Sequence, residues 1–386
     1  MFKDNQKIKN IFFIGFLLSL HLALTTYINS SFLASFSSEK SVGIIYILGS
    51  VASILALLST AKIFRKLGGY KFLLYTTLFV ALSLLSFTFV KSSWLVVPIF
   101  IFYFALNTLL IFSLDEIVKI FSNDASTGKV RGMYLTVTSL AWVIAQLASS
   151  QILGKFSFET VYFVTFLIMI LFFLVSFFKL KNIPDPKYDK SNIIRSTKEF
   201  FRNKSLLRSY NINFLLQFFY SWMVIYTPIY LHSYLSFSWQ EISTIFAIML
   251  LPFCILPFPL GKYADKIGER KMLMFGFTVA AFATLSLFFI ERHEIWIWAI
   301  LLFITRIGAA TIEVMSDIYF FKHIRAENEE FIGVYRSASP VSYIVGPLVA
   351  LIIFTFVPSF NFIYIILGTV MLYGIYISST IRKGDI

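Results

Sequence analysis

Long apolar runs recur along almost the whole chain. Each is roughly 18 to 25 residues, the length that spans a hydrocarbon core of about 30 Å as a helix. Twelve spans are expected, centred near residues 22, 52, 81, 103, 143, 169, 219, 250, 281, 306, 347 and 370. Six precede a polar stretch at about 180–208 and six follow it. Only 14% of the 386 residues are charged, against about 25% in a soluble domain, so the solvent for most of this chain is lipid. Helix-period runs exclude a transmembrane β-barrel. The first run, Ile11 to about Leu33, is too long for a signal-peptide core and reads as a retained helix. Cys254 is the one cysteine, so no intramolecular disulfide forms.

A net charge of +13 invites a nucleic-acid reading, but its distribution points elsewhere. With the N-terminus in the cytoplasm, 28 of the 33 Lys and Arg fall on cytoplasmic segments. Lys40, Lys91, Lys155 and Arg292 lie on external loops, and Arg306 lies inside a span. This is the positive-inside pattern, and an even number of spans returns the C-terminus to the cytoplasm. In the central stretch, Pro184 and Pro186 end the sixth span. Ile193, Ile194, Phe200, Phe201, Leu206 and Leu207 then alternate with Lys and Arg at roughly helical spacing. The pattern reads as an amphipathic helix on the inner membrane surface; a solvated linker is the plainer alternative. The expected organisation is a six-helix bundle at 1–180, a cytoplasmic linker with an amphipathic helix at 181–208, and a second six-helix bundle at 209–386.

A repeat ties the two halves together. Ala61 to Lys71 reads AKIFRKLGGYK and Gly261 to Lys271 reads GKYADKIGERK. Lys62, Lys66, Gly68 and Lys71 match Lys262, Lys266, Gly268 and Lys271 without a gap. Phe16-Leu17-Leu18 recurs as Phe214-Leu215-Leu216. Glu116-Ile117 aligns with Asp317-Ile318, and Gly132 and Tyr134 align with Gly333 and Tyr335. Nearly one register serves all three blocks, which implies two related membrane bundles in tandem.

With these features the chain resembles the major facilitator superfamily of transporters. The resemblance covers essentially the whole chain: twelve spans in two halves of six, a long central cytoplasmic loop, and a basic turn between the second and third spans of each half. Its most specific piece is Gly261-x-x-Ala264-Asp265-Lys266-x-Gly268-x-Arg270-Lys271, close to the family's loop motif. Gly261 allows close helix approach and Gly268 a left-handed turn, while Asp265 suits a helix N-terminus. The first-half copy departs from the motif, with Arg65 where Asp is expected. By pseudo-symmetry the resemblance implies two cytoplasmic latches. Asp265 would meet Arg131 at the start of the fifth span, and Arg65 would meet Glu327, Glu329 and Glu330 at the start of the eleventh. Ordinary loop charges on a positive-inside surface are the alternative.

The tenth span alone carries charge in its interior. Arg306 lies about 12 residues from its outer end, roughly 18 Å deep. Glu313 follows seven residues later on nearly the same face, with Asp317 one turn beyond. Gly308, Ala309 and Ala310 make this stretch narrow. Mid-bilayer charge is costly unless paired or hydrated, so these side chains should face the bundle interior or an aqueous cavity. In the resembling family the first, fourth, seventh and tenth spans line the cavity. One reading makes Arg306 an anchor for an anionic or polar substrate group and Glu313 a carboxylate whose protonation is coupled to transport. The other makes them a structural network. Glu116 and Asp317 occupy equivalent places near cytoplasmic ends and are assigned to gating networks with Arg131 and Arg336. His21, Asn107, Gln217 and Tyr226 are the polar cavity candidates on the first, fourth and seventh spans. Gly346-Pro347 with Pro340 faintly resembles the family's antiporter motif, which belongs in the fifth span, so no antiporter inference follows.

The reading is an all-α membrane protein of the inner cell membrane, monomeric, moving a small solute by alternating access with a proton as coupling ion. A non-transporting sensor or scaffold on the same fold is the alternative. No P-loop is present, and His21, His232, His293 and His323 form no metal-binding spacing. An enzyme, a cofactor and a bound metal are therefore not expected. Of the substrate classes, a sugar fits poorly, because Trp222 is the one tryptophan in a candidate cavity span. Lys, Ile, Asn and Phe usage points to an AT-rich bacterial genome.

Overall fold

The computed structural model describes residues 2–120, 127–181, 193–257, 259–260, 267–324, 330–357 and 359–381. Among the described residues there is no strand. The helices are α1 (Phe2–Thr26), α2 (Asn29–Ala34), α3 (Glu39–Leu67), α4 (Gly69–Phe89), α5 (Ser93–Ile120), α6 (Thr127–Leu153), α7 (Phe158–Lys179) and α8 (Ile193–Arg202). They continue as α9 (Lys204–Ile229), α10 (Trp239–Ile255), α11 (Glu269–Leu287), α12 (Ile295–Lys322), α13 (Glu330–Arg336), α14 (Ala338–Phe356) and α15 (Phe362–Ser379). Ten helices among the described residues are long and apolar enough to cross a membrane. Two shorter apolar helices, Ser41–Leu57 and Trp239–Ile255, cover the second and eighth expected positions. Each of the twelve expected centres falls in one of these helices.

The chain divides into two compact units: Met1–Tyr188 with Ser238–Ala247, and Asp189–Phe237 with Ile248–Ile386. In the first, α1 packs on α6 and α7, and α4 on α5 and α7. In the second, α9 packs on α14 and α15, and α11 on α12 and α15. The sequence repeat is thus matched by a repeat in which helix touches which.

The glycines of the repeated turn show why it was kept. Gly68 sits at φ 76°, ψ 153° and Gly268 at φ 84°, ψ 149°, each just before the helix it caps. Their carbonyls accept from the amides of Phe72 and Met272. The expectation of a left-handed turn is met only in φ. The ψ is extended, as a residue capping a helix start requires, and this combination is essentially restricted to glycine.

Small residues set helix spacing in the second unit. A Cβ on Gly308 would lie 2.6 Å from the Ala280 amide nitrogen and 2.6 Å from the Gly276 carbonyl oxygen, so α11 and α12 meet backbone to backbone. A Cβ on Gly346 would lie 2.7 Å from Ser221 Oγ, and Trp222 Nε1 donates to the Gly346 carbonyl at 2.9 Å, joining α9 to α14. Between helices in lipid, close packing and such hydrogen bonds replace the hydrophobic effect as the driving force.

Prolines interrupt without ending helices: Pro98, Pro228, Pro252 and Pro347 all lie inside one. Two residues past Pro228, α9 widens into a π turn at Tyr230–Tyr234. The amphipathic stretch forms as α8, with Leu206 and Leu207 already on α9. Phe200 is fully buried against Leu206, Phe320, Phe331, Val334 and Tyr335, so this part of the apolar set packs on protein.

Candidate functional site

In the second unit, the α12 stripe changes character along its length. Arg306 is enclosed, at 1% exposure, whereas Glu313 is exposed and Asp317 partly so. The Arg306 guanidinium carbon lies 5.0 Å from the Phe219 ring centroid and 5.5 Å from that of Tyr220, two consecutive residues of α9. Aromatic faces stabilise a desolvated guanidinium. They supply no acceptor, however, and Arg306 Nε and Nη1 have no hydrogen-bond partner. Tyr220 also turns its hydroxyl to Glu313, donating to Oε2 at 2.7 Å. One tyrosine therefore touches both charges, with its ring on the cation and its hydroxyl on the carboxylate.

Toward the end of α12 a polar chain begins. Arg336 Nη2 lies 3.8 Å from Asp317 Oδ2. The Tyr335 hydroxyl donates to Asp317 Oδ1 at 3.1 Å and lies 2.8 Å from Ser316 Oγ. Asn213 Nδ2 donates to the Tyr335 carbonyl at 3.1 Å, and Gln217 Nε2 reaches Asn213 Oδ1 at 3.4 Å. This chain ties α9, α12 and α13 together. Beyond it, Lys322 is paired with Glu269, at the start of α11. Arg270, the next residue, is exposed. Tyr226 is buried in an aromatic cluster with Trp222, Phe354 and Phe360.

The first unit holds a separate polar pair. His21 Nε2 lies 2.9 Å from Asn107 Oδ1, joining α1 to α5, and the His21 ring meets that of Tyr103 edge-on. Tyr103 in turn bonds Thr25 at 3.0 Å. His21 Nδ1 is buried without a hydrogen-bond partner. The structure thus joins His21 to Asn107, Arg336 to Asp317, and Gln217 indirectly to that second pair. Phe219, Tyr220, Asn213 and Tyr103 were not expected from the sequence. Tyr335 was visible there only as a member of the repeat. Gly261 and Asp265 lie outside the described residues, as do the side chains of Arg65, Glu116 and Arg131 and the proposed acidic partners of Arg65. Among the described residues no group of three or more His, Cys, Asp or Glu is arranged to hold a metal.

Residues 212–383 match the family model described as Major Facilitator Superfamily. The match lies within the second half of the chain, whose residues are thus similar to that family. Solved structures share its fold over nearly its full length. The nucleoside transporter NupG is 11% identical, with a TM-score of 0.78, covering 96% of this chain and 98% of that one. The POT family transporter PepTSo is 12% identical, with a TM-score of 0.77 and 97% of each chain covered. A bacterial homologue of the human lysosomal transporter Spinster, inward-facing and unoccupied, is 12% identical with a TM-score of 0.68, covering 97% of this chain and 94% of that one. No curated protein matches the chain in sequence. The chain thus shares the fold of these transporters, with ten helices among its described residues long and apolar enough to cross a membrane.

Proposed function

We propose that this protein is a secondary active transporter that carries a small solute by alternating access, with protons as the coupling ion. The observation that carries the reading is the enclosed Arg306 guanidinium with two open donors. A buried cation with unmet hydrogen bonds is costly, and an anionic or polar group of the solute offsets that cost when it binds. Glu313, held through one oxygen by Tyr220 and not covered by the other helices, is assigned the coupling role. His21, Asn107, Gln217 and Tyr226 are secondary contacts for solute or proton. Asp317 and Arg336 form a gating pair, supported by their contact and by the Tyr335 bonds beside it. Gly261, Asp265, Gly268, Arg270, Arg65, Arg131 and Glu116 complete the cytoplasmic gates on the strength of the sequence motif and repeat alone. The same reading sets a six-helix bundle at 1–180, a linker at 181–208 and a second bundle at 209–386. It takes both termini as cytoplasmic and the protein as a monomer in the inner cell membrane.

The test is a thermal-shift screen of purified protein against organic anions, sugars, amino acids and drugs, with Arg306→Ala and Arg306→Lys alongside. A ligand that binds the folded state raises its stability. The expected hit is an anion that stabilises wild type, loses most of its effect in Arg306→Lys and all of it in Arg306→Ala. Equal stabilisation of all three would remove Arg306 from the site.

A further inference from the structure

The solute site leaves α8 and its surroundings unused. Residues 179–208 carry nine basic residues against three acidic, a net +6. On α8 itself Glu199 is already taken, its Oε1 bonded by Arg195 Nε at 2.8 Å. The helix has two distinct edges. Ser196 and Phe200, four residues apart, are buried, and Phe200 is locked edge-on against Phe331 at 5.6 Å between ring centroids. Lys198, Phe201 and Arg202 are exposed, and their spacing of three and four puts them on one face. Lys204, at the head of α9, and Leu207, one turn on, are also exposed. Phe201 and Leu207 each keep 38% of their surface open although protein lies close by: the Phe201 ring packs on Tyr210 at 5.0 Å.

We propose that this face of α8 binds the headgroups of anionic phospholipids, with Lys198, Arg202 and Lys204 on the phosphates and Phe201 and Leu207 in the acyl boundary. Three features of the face favour lipid over a soluble acidic partner. The face combines cationic with bulky apolar side chains, the composition that seats a helix at a bilayer interface. It lies within one turn of α9, a helix long and apolar enough to cross the membrane, so the surface it would bind is adjacent. The charge is of one sign once Glu199 is paired, and anionic leaflets attract such clusters. The burial of Phe200 gives the face its function. It fixes the rotation of α8 about its axis, so Lys198 and Arg202 leave the helix on one side. It also links the helix to Tyr335, whose ring stacks on Phe320 with centroids 4.0 Å apart and whose hydroxyl bonds Asp317. Lipid bound on the outer face is thereby in mechanical contact with the gating pair.

The test uses the full chain with Cys254→Ser and a nitroxide label at Phe201→Cys, in vesicles of phosphatidylcholine with or without phosphatidylglycerol. Collision with oxygen against a water-soluble nickel complex reports depth. The label is expected to move into the acyl boundary when phosphatidylglycerol is present, and to return to water at high salt. Replacing Lys198, Arg202 and Lys204 by Gln should weaken docking about a hundredfold, from about fivefold per basic residue at an anionic surface. Equal depth in the two lipid mixtures would overturn the proposal, as would docking unchanged by the triple Gln substitution. Label mobility reports whether α8 stays folded, so a loss of helix is distinguished from a loss of lipid.

Discussion

Replacing Gly308 by Ala adds a single methyl where α11 and α12 meet backbone to backbone. That methyl would stand 2.6 Å from the Ala280 nitrogen, 2.6 Å from the Gly276 oxygen and 2.8 Å from the Ala280 Cβ. Ordinary contact begins near 3.4 Å, so α11 and α12 must separate by about 0.8 Å. Two of the three obstructing atoms are backbone, so no rotamer change relieves them. Overpacking of this kind costs about 1–3 kcal/mol, and a backbone-to-backbone crossing belongs at the upper end. Ala is otherwise the better helix former by about 1 kcal/mol, and that gain leaves a net loss of about 1–2 kcal/mol. Gly333 supplies the control, because it lies in α13 and a Cβ there meets nothing within 4 Å. Gly333→Ala should therefore gain a few tenths to 1 kcal/mol from helix propensity and reduced freedom of the unfolded chain. Both are measured by equilibrium unfolding in mixed detergent micelles. A Gly308→Ala protein as stable as Gly333→Ala would refute the packing argument.

Two further substitutions probe the repeat and the α9–α14 joint. Among the described residues a Cβ on Gly268 meets nothing within 4 Å, so Gly268→Ala should cost backbone strain of about 1–3 kcal/mol, and Gly68→Ala should carry a similar strain because its φ and ψ nearly coincide. Clearly unequal losses in the same unfolding experiment would contradict the structural equivalence of the two turns. Trp222→Phe removes the bond to the Gly346 carbonyl while keeping an aromatic ring, and should cost about 1 kcal/mol; no loss would mean that carbonyl finds another donor.

The fold was legible because lipid imposes a coarse rule. Apolar length marks spans, and a fixed register between Gly68 and Gly268 marks a duplication. Finer breaks were less visible. The first apolar run was read as one helix, yet the chain turns at Tyr27 and Ile28 before α2, where Asn29, Ser30 and Ser31 stand in place of a glycine or proline. Charge made Arg306 and Glu313 conspicuous, since an ion in lipid demands an explanation. Tyr220 was not conspicuous, because twenty tyrosines share its chemistry and only the packing of α9 on α12 selects it. His21 and Asn107 were each noticed singly; their hydrogen bond spans 86 residues and follows from α1 meeting α5. Phe200 looked like a lipid-facing residue until α13 supplied Phe331 as its neighbour.

The central claim is that a proton moves with the solute through Glu313. Protein reconstituted into vesicles loaded with a pH-sensitive dye, challenged with the anion identified by thermal shift, tests it directly. Wild type should acidify or alkalinise the lumen as solute crosses, and Glu313→Gln should exchange solute down its gradient without moving protons. Proton movement in Glu313→Gln equal to wild type would contradict the account.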